Sequence, residues 1–420
     1  MRPRRRILLS SIALLFFLPA VARAFPAHQI QSQKIRVRLT DGATSVTIRG
    51  MDLQIFESGA ITRALAGTSR QSEWEFHCED GRIRASRIFP EQGRQNLELH
   101  EPAVIQSPSG FLQINGRPYR DGMRIYSNGS FCEVVNEVDI EKYLEGLVNA
   151  EFNSRWNEDA MEAQVVAART YATYQKKQAE AHHAHFDVDA TDRDQVYDGS
   201  IREDFRAARA VTRTRGMVLT VRDAGKIEPL KAYYSSTCGG ITELPQNVWG
   251  KGSPGFSHPV DCPYCAGAPR FHWDVTLTAP EITAALLRGT RLSGMPSGWP
   301  RGSLEWLQRG KLIGLRSTRF LGGRVEELTA VITLGANSRE LRFSGAKFRD
   351  WLGAVRVRST AFELHPSLGL QGAMWRLTGR GYGHGVGMCQ YGAKAMGEKG
   401  FTMAAILKHY YPDARLQKMW

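Results

Sequence analysis

The sequence predicts an α+β protein in which a β-rich N-terminal region precedes a mixed α/β region. Three observations indicate this fold class: short alternating apolar and polar segments over about residues 34–138, helical periodicity that starts at Asp139, and a glycine-rich run at Gly379–Ala393. We divide the chain into residues 1–24, 25–133 and 134–420.

Residues 1–24 have the pattern of a secretory signal peptide. The basic start MRPRRR is followed by the apolar stretch ILLSSIALLFFL and by an A-x-A cleavage site that ends at Ala24. The apolar stretch is about a dozen residues long, whereas a membrane span needs roughly 20. We expect a secreted or periplasmic protein that begins near Phe25 and has no stable membrane insertion; an uncleaved anchor is the alternative.

Charge favours an anionic partner. Loss of the signal peptide with its five arginines lowers the formal net charge from +13 to +8, which suits a cell-wall polymer or a membrane surface. Nucleic acid is not expected as a partner, because no basic run is interleaved with aromatic residues. The glycine run does not have the G-x-G-x-x-G spacing of a nucleotide loop.

Residues 25–133 are predicted to be strands and turns without visible chemistry. Segments such as IRVRL and WEFHC alternate in polarity, and pairs such as Asn115-Gly116 and Asn128-Gly129 favour hairpins. This region is predicted to be a scaffold or a wall contact.

The first predicted helix ends near a candidate acid. In DIEKYLEGLVNAEF, Asp139 is the predicted N-cap, Glu141 lies off the apolar stripe, and Glu151 is the next position on it. The apolar residues on that face are Ile140, Tyr143, Leu144, Leu147 and Val148. Burial would raise the pKa of Glu151; alternatively the helix frays and Glu151 is solvated. Position alone does not separate these readings.

A second helix, roughly Asn157 to Ala181, carries Arg169 in its small-residue stripe. The segment HHAHFDVDATDRDQVYDG follows, and its three histidines and five aspartates suit either a metal site or a polar surface loop. Composition alone favours the loop.

Six cysteines are present, and disulfides are the default expectation outside the cytoplasm. Cys78 and Cys132 lie in the N-terminal region, and the others are Cys238, Cys262, Cys265 and Cys389. The spacing Cys262-Pro-Tyr-Cys265 also suits a metal knuckle or a redox pair.

Glycine occupies every second position from Gly379 to Gly387. This spacing predicts a strand with one bare face, which a ligand or another backbone can approach closely, while Tyr382 and His384 lie on the other face. Tight packing without a ligand is the alternative.

Five blocks together resemble the SpoIID/LytB family, in that family's order. They are VVNEVDIEKYLEGLVNAEF…AMEAQVVAARTYA, DVDATDRDQVYDG, AYYSSTCGGITE, GYGHGVGMCQYGA and ILKHYYP, and they span roughly residues 134–411. The resemblance implies a SpoIID-like catalytic domain over residues 134–420, with a cleft between a helical segment and the glycine-rich strand.

The resemblance also implies work on peptidoglycan glycan strands. SpoIID-type members are lytic transglycosylases that prefer strands stripped of stem peptides, whereas LytB-type members enhance a cell-wall amidase. The family's catalytic glutamate aligns with Glu151. The resemblance gives Arg169, Tyr234, Ser236, His384 and Gln390 as expected substrate contacts, and the predicted glycine-run strand adds Tyr382.

The sequence departs from the family where some members bind zinc through cysteines and a histidine. Asp189, Arg193 and Asp194 occupy the corresponding positions, so that site is not expected. Cys238, Cys262, Cys265 and Cys389 lie beside the cleft-forming blocks instead, as a replacement zinc site or as disulfides.

The implied reaction needs one carboxyl group and no cofactor. The acid protonates the glycosidic oxygen and then takes the proton of the sugar's C6 hydroxyl, so a second carboxylate is not obligatory. Because a cation beside Glu151 would lower its pKa, Arg169 is expected to contact the substrate instead. The alternatives are an amidase enhancer without catalysis and a zinc- or thiol-dependent protein.

Overall fold

The computed structural model describes residues 33–57, 64–67, 70–88, 95–108, 110–320, 322–369 and 372–420. The predicted signal peptide lies outside these residues. Strands and helices are mixed along the described chain, so the predicted α+β class is confirmed. No helix within the described ranges is long and apolar enough to cross a membrane.

The N-terminal strands form two sheets. The first runs in the spatial order β13 (Val188–Asp189), β1 (Lys34–Ala43), β12 (Phe131–Asp139), β11 (Gly122–Asn128), β8 (Ala103–Gln106), β3 (Gln54–Glu57) and β4 (Ala66–Gly67). The second runs in the order β10 (Arg117–Tyr119), β9 (Leu112–Ile114), β2 (Ser45–Met51), β5 (Gln71–Glu79), β6 (Arg82–Arg87) and β7 (Asn96–His100). Neighbours pair antiparallel except β1 and β13, which are parallel.

The alternation of apolar and polar residues determines which face of each strand is buried. In β5, every second side chain from Ser72 to Cys78 is buried, while the intervening residues are not. Asn115 and Gly116 form the predicted two-residue turn between β9 and β10 with φ of 51° and 74°, the left-handed pair that a type I′ hairpin requires.

The predicted boundary between residues 133 and 134 falls inside β12. This strand pairs with β1 on one side and β11 on the other, and it leads directly into the first helix. One hydrophobic core extends from Ile35 in β1 to Tyr411 near the C-terminus. The β-rich region and the helical region therefore share a sheet and a core.

Side-chain caps start the first two helices near the predicted positions. The carboxylate of Asp139 accepts hydrogen bonds from the first turn of α1 (Ile140–Glu151), and Asn157 does the same for α2 (Glu158–Ala181). The other helices are α3 (Phe205–Arg213), α4 (Pro245–Trp249), α5 (Ala279–Ser293), α6 (Ser303–Arg309), α7 (Gly345–Leu352), α8 (Gln390–Glu398) and α9 (Met403–Tyr410).

Residues 272–380, called the insert below, build a second hydrophobic core that was not predicted as a separate region. Helices α5, α6 and α7 pack there with two antiparallel sheets: β17 (His272–Thr278), β22 (Gly372–Arg380) and β21 (Phe362–Gly369); and β18 (Lys311–Arg319), β19 (Val325–Leu334) and β20 (Asn337–Ser344). Outside this insert, β14 (Met217–Asp223) pairs with β15 (Lys226–Pro229) and β24 (Arg415–Lys418), and β16 (Tyr234–Ser235) pairs in parallel with β23 (Met388–Cys389).

The glycine run is not a continuous strand, which corrects the prediction. β22 ends at Arg380, and the next four alternate glycines have φ from 70° to 111°, in the left-handed region that a strand does not use. A Cβ on Gly387 would lie 2.0 Å from the carbonyl oxygen of Tyr233, and one on Gly385 would lie 2.1 Å from Arg324 Nη2. These glycines serve backbone conformation and close packing, which favours the packing alternative.

Candidate active site

Three distant segments meet at the C-terminal end of α1. The Glu151 carboxylate accepts a hydrogen bond from the N–H of Val196 at 2.6 Å, and Gln390 Nε2, at the start of α8, donates to the Glu151 carbonyl oxygen at 2.9 Å. Helix α1 extends through Glu151, so the end of the helix does not fray before it. Both the backbone and the carboxyl group of Glu151 are therefore held in place.

Burial raises the pKa of Glu151 to about 7 from an ordinary value of 4.5. The Val196 N–H favours the charged form and opposes this shift, whereas the negative charge of Asp192 adds to it. The carboxyl group is consequently protonated in a large fraction of molecules at neutral pH. This agrees with the expectation that Glu151 continues the buried face of the helix.

Two phenols lie close enough to Glu151 for its charge to act on them. The Tyr143 hydroxyl donates a hydrogen bond to Gln195 Oε1 at 3.1 Å. Gln195 Nε2 in turn donates one to the Tyr234 hydroxyl at 3.0 Å. Burial, followed by the charge of Glu151, raises the pKa of Tyr143 and of Tyr234 well above the ordinary value. Both phenols therefore stay neutral. Gln195 was not predicted as a site residue, although it lies within the DRDQVYDG block.

Arg169 does not face a substrate, which corrects its predicted role. Its side chain is 0% exposed, and Nη2 pairs with Glu141 Oε2 at 2.6 Å. Glu141 is also buried, against the expectation that it lies off the apolar face, and it accepts from Trp420 Nε1 at 3.0 Å. The pair ties α1 to α2. A charged side chain in a small-residue helical stripe needs such a buried partner, which lies 28 positions away in the chain.

A cavity of about 1030 Å³ opens beside Tyr234. Its aromatic lining consists of Tyr171, Tyr174, Tyr233, Tyr234, Trp249, Phe320 and His384. Asp192, which acts on the Glu151 carboxyl group, belongs to the same wall, and the insert contributes Phe320 and Arg349. The cavity thus lies between the main core and the insert. Glu151 is not among the residues that line it, but the Glu151 carboxyl group interacts electrostatically with Asp192 and Tyr234, which do.

His384 lies in this wall as a neutral imidazole. Burial, together with the positive charges of Arg324 and Arg349, lowers the pKa of His384 to about 3. The N–H of Val386 donates to Nδ1 at 3.0 Å, which places the imidazole proton on Nε2. The ring lies 5.1 Å from that of Trp249.

Lys231 brings a cation into the cavity and was not predicted. Its ammonium group lies 5.9, 5.6 and 5.2 Å from the ring centres of Tyr171, Tyr174 and Tyr233. Burial lowers the pKa of Lys231, and the charge of Asp194 opposes that shift. The side chain is half-buried in an aromatic cage that suits a positive charge.

Besides Arg169, three predicted contacts are not among the residues that line the cavity. Gln390 is buried and holds the Glu151 backbone, as described above. The Ser236 carbonyl oxygen accepts from Tyr391 N at 3.1 Å. Tyr382 pairs through its backbone with Thr237, and its ring lies 5.1 Å from the Arg270 guanidinium. Their observed contacts position the backbone around the site.

The four C-terminal cysteines come together. Cys238, Cys262, Cys265 and Cys389 are buried and unpaired, and their sulfurs all lie within 4.8 Å of one another. Cys78 and Cys132 form a disulfide in the N-terminal sheets.

The aspartate-rich segment after α2 is tied down by arginines. Asp187 pairs with Arg36 at 2.5 Å, and Asp189 pairs with Arg38 at 2.7 Å. The His185 ring stacks on Tyr126 with ring centres 4.0 Å apart. These carboxylates anchor the segment to β1, as suits the polar-loop reading.

Comparison with known proteins places this site in a family context. The Stage II sporulation protein family, SpoIID, matches residues 128–221, which include Glu151. An uncharacterised protein of Brachyspira hyodysenteriae is 32% identical over 384 residues, covering 90% of this chain and 91% of that protein.

Two Bacillus subtilis proteins are also similar. Stage II sporulation protein D is 29% identical over 339 residues, covering 77% of this chain and 87% of that protein. The amidase enhancer is 26% identical over 390 residues, covering 81% of this chain but only 51% of that protein. With its Glu151 block inside the matched segment, the chain belongs to the SpoIID/LytB family.

Proposed function

We propose that the protein is an exported peptidoglycan lytic transglycosylase that cleaves MurNAc–GlcNAc strands, preferably denuded ones, to 1,6-anhydro products. The observation that carries this proposal is Glu151, a fixed carboxyl group whose pKa burial raises to about 7. A group that donates and then accepts a proton works best with a pKa near the working pH.

The contacts of Glu151 suggest which oxygen carries the proton. Oε1 accepts the Val196 N–H, which leaves Oε2 as the acidic oxygen. Oε2–H protonates the glycosidic oxygen as its bond to C1 breaks. The resulting carboxylate takes the C6 hydroxyl proton while the C6 oxygen bonds to C1, so no water is consumed and the acid is regenerated.

The cavity suits a glycan strand. Pyranose rings present C–H faces that pack on aromatic side chains such as Trp249 and Tyr233, and their hydroxyls need polar partners. Lys231 offers a cation for the lactyl carboxylate of a muramic acid residue, the role first expected of Arg169. The basic chain favours approach to an anionic wall polymer.

Product analysis tests this proposal. Protein from Phe25 onward is incubated with glycan strands stripped of stem peptides and with intact strands, and the products are identified by mass spectrometry. We expect 1,6-anhydromuramic ends, in greater yield from the stripped strands. Reducing ends, or no cleavage of either substrate between pH 5 and 8, would refute the proposal.

A second candidate function is enhancement of a cell-wall amidase without catalysis. The similarity to the amidase enhancer over 81% of this chain favours it. This function predicts faster stem-peptide release by an added N-acetylmuramoyl-L-alanine amidase and no anhydro ends. If Glu151→Gln abolished anhydro products while amidase stimulation persisted, the protein would have both functions.

A further inference from the structure

Four thiols from distant parts of the chain converge on one point. Cys238 follows β16, Cys262 and Cys265 flank the short turn at Pro263–Tyr264, and Cys389 ends β23 and caps α8. Within the described ranges, this is the one group of histidine, cysteine or acidic side chains found placed to share a metal ion.

The sulfurs are arranged for a tetrahedral ion. Sulfurs bound to one zinc ion at about 2.3 Å lie about 3.8 Å apart, and the sulfurs of Cys238 and Cys265 are 3.6 Å apart. Each of the four cysteines is at most 1% exposed. Such a site is closed to solvent and leaves no coordination position for a substrate, which is typical of structural zinc.

The surroundings suit negatively charged sulfur. The N–H groups of Cys238 and Gly392 donate to the Cys389 sulfur at 3.3 and 3.4 Å, and the Tyr410 hydroxyl lies 3.1 Å from the Cys262 sulfur. Gly392 has no room for a side chain, because a Cβ would lie 2.7 Å from the Cys262 sulfur. Donors aimed at sulfur favour thiolates over thiols.

A buried cation accompanies the cluster. Arg324 is 2% exposed, and its Nη2 donates to the Cys238 carbonyl oxygen at 2.6 Å. A buried guanidinium needs compensating negative charge, and the charges that act on Arg324 include those of Cys238 and of the buried Glu243 carboxylate. Four thiolates around a divalent cation carry a net charge of about −2, which would add to that of Glu243.

We propose that Cys238, Cys262, Cys265 and Cys389 hold one structural Zn²⁺ ion. The ion joins β16, β23 and the loop at Cys262 to the start of α8. Gln390, next to Cys389, holds the Glu151 backbone. The metal therefore cross-links these segments next to the candidate active site and takes no part in proton transfer.

Metal and thiol analysis of the full mature chain tests this inference. We expect one zinc per chain and four titratable thiols after denaturation with a chelator, because Cys78 and Cys132 are paired. Replacement with Co²⁺ should give the intense visible and charge-transfer bands of tetrahedral thiolate coordination. Metal-free protein with fewer than four thiols would overturn the inference in favour of disulfides, and iron would overturn the assignment to zinc.

Paired variants locate the ion. Cys238→Ser and Cys265→Ser should each lower the zinc content below half an equivalent, whereas the double variant Cys78→Ser/Cys132→Ser should keep one equivalent. Equal zinc content in all variants, or equal loss, would contradict the site. The Co²⁺ spectrum of the unmodified chain keeps the test valid if a cysteine variant does not fold.

Discussion

At the scale of single residues, the protonation of Glu151 is coupled to folding. Its pKa is about 7 in the folded chain and about 4.5 when unfolded. Between those values the folded chain binds more protons than the unfolded chain, so stability falls as pH rises through this window. The penalty is complete above pH 7 and is absent below pH 4.5.

Glu151→Gln should remove that penalty. Glutamine still accepts the Val196 N–H but does not ionise, so the variant should gain on the order of 1–3 kcal/mol relative to the unmodified chain on going from pH 4.5 to pH 8. Urea unfolding of both proteins at each pH measures this gain, and other titrating groups cancel in the difference. A difference that is the same at both pH values would show that Glu151 is solvated.

At the scale of helices and strands, one buried ion pair fixes α1 against α2. Glu141→Gln leaves the Arg169 guanidinium buried without its charged partner, so we expect a loss of about 3–5 kcal/mol in the free energy of unfolding. Lys142→Gln, at the adjacent position, breaks only a half-exposed pair with Asp121 and should cost about 0–1 kcal/mol. Comparable losses in urea unfolding would contradict the structural role of Arg169.

Local sequence patterns were sufficient to predict some helices and strands but not others. Polarity alternation and the caps Asp139 and Asn157 depend on near neighbours, so the N-terminal strands and the first two helices could be predicted. The glycine run could not, because its left-handed conformation depends on contacts with Tyr233 and Arg324, far away in sequence. The same limit applies to Arg169, whose partner lies on another helix.

At the scale of the whole molecule, the cavity arises from packing between the main core and the insert. The insert extends over residues 272–380, yet the flanking blocks read as one family domain, so the sequence did not show that Phe320 and Arg349 would form a wall. Glu151 could be predicted, because helical periodicity and the family resemblance both point to it. Lys231 could not, because its role depends on the rings of Tyr171 and Tyr174 on α2, far away in the chain, as well as on that of Tyr233.

The most direct measurement compares two glutamines placed on the same helix. Glu145 is half-buried on α1, and burial and the charge of Glu203 raise its pKa. Release of 1,6-anhydro ends from denuded strands is measured for Glu151→Gln, Glu145→Gln and the unmodified chain at pH 6.5. Glu151→Gln should lose about 10²–10⁴-fold in rate. Glu145→Gln should stay within about threefold of the unmodified chain, because the main charges that act on Glu145 are those of Glu203 and Arg120, which do not act on Glu151. Full activity in Glu151→Gln, or the same loss in both variants, would show that Glu151 is not the catalytic acid.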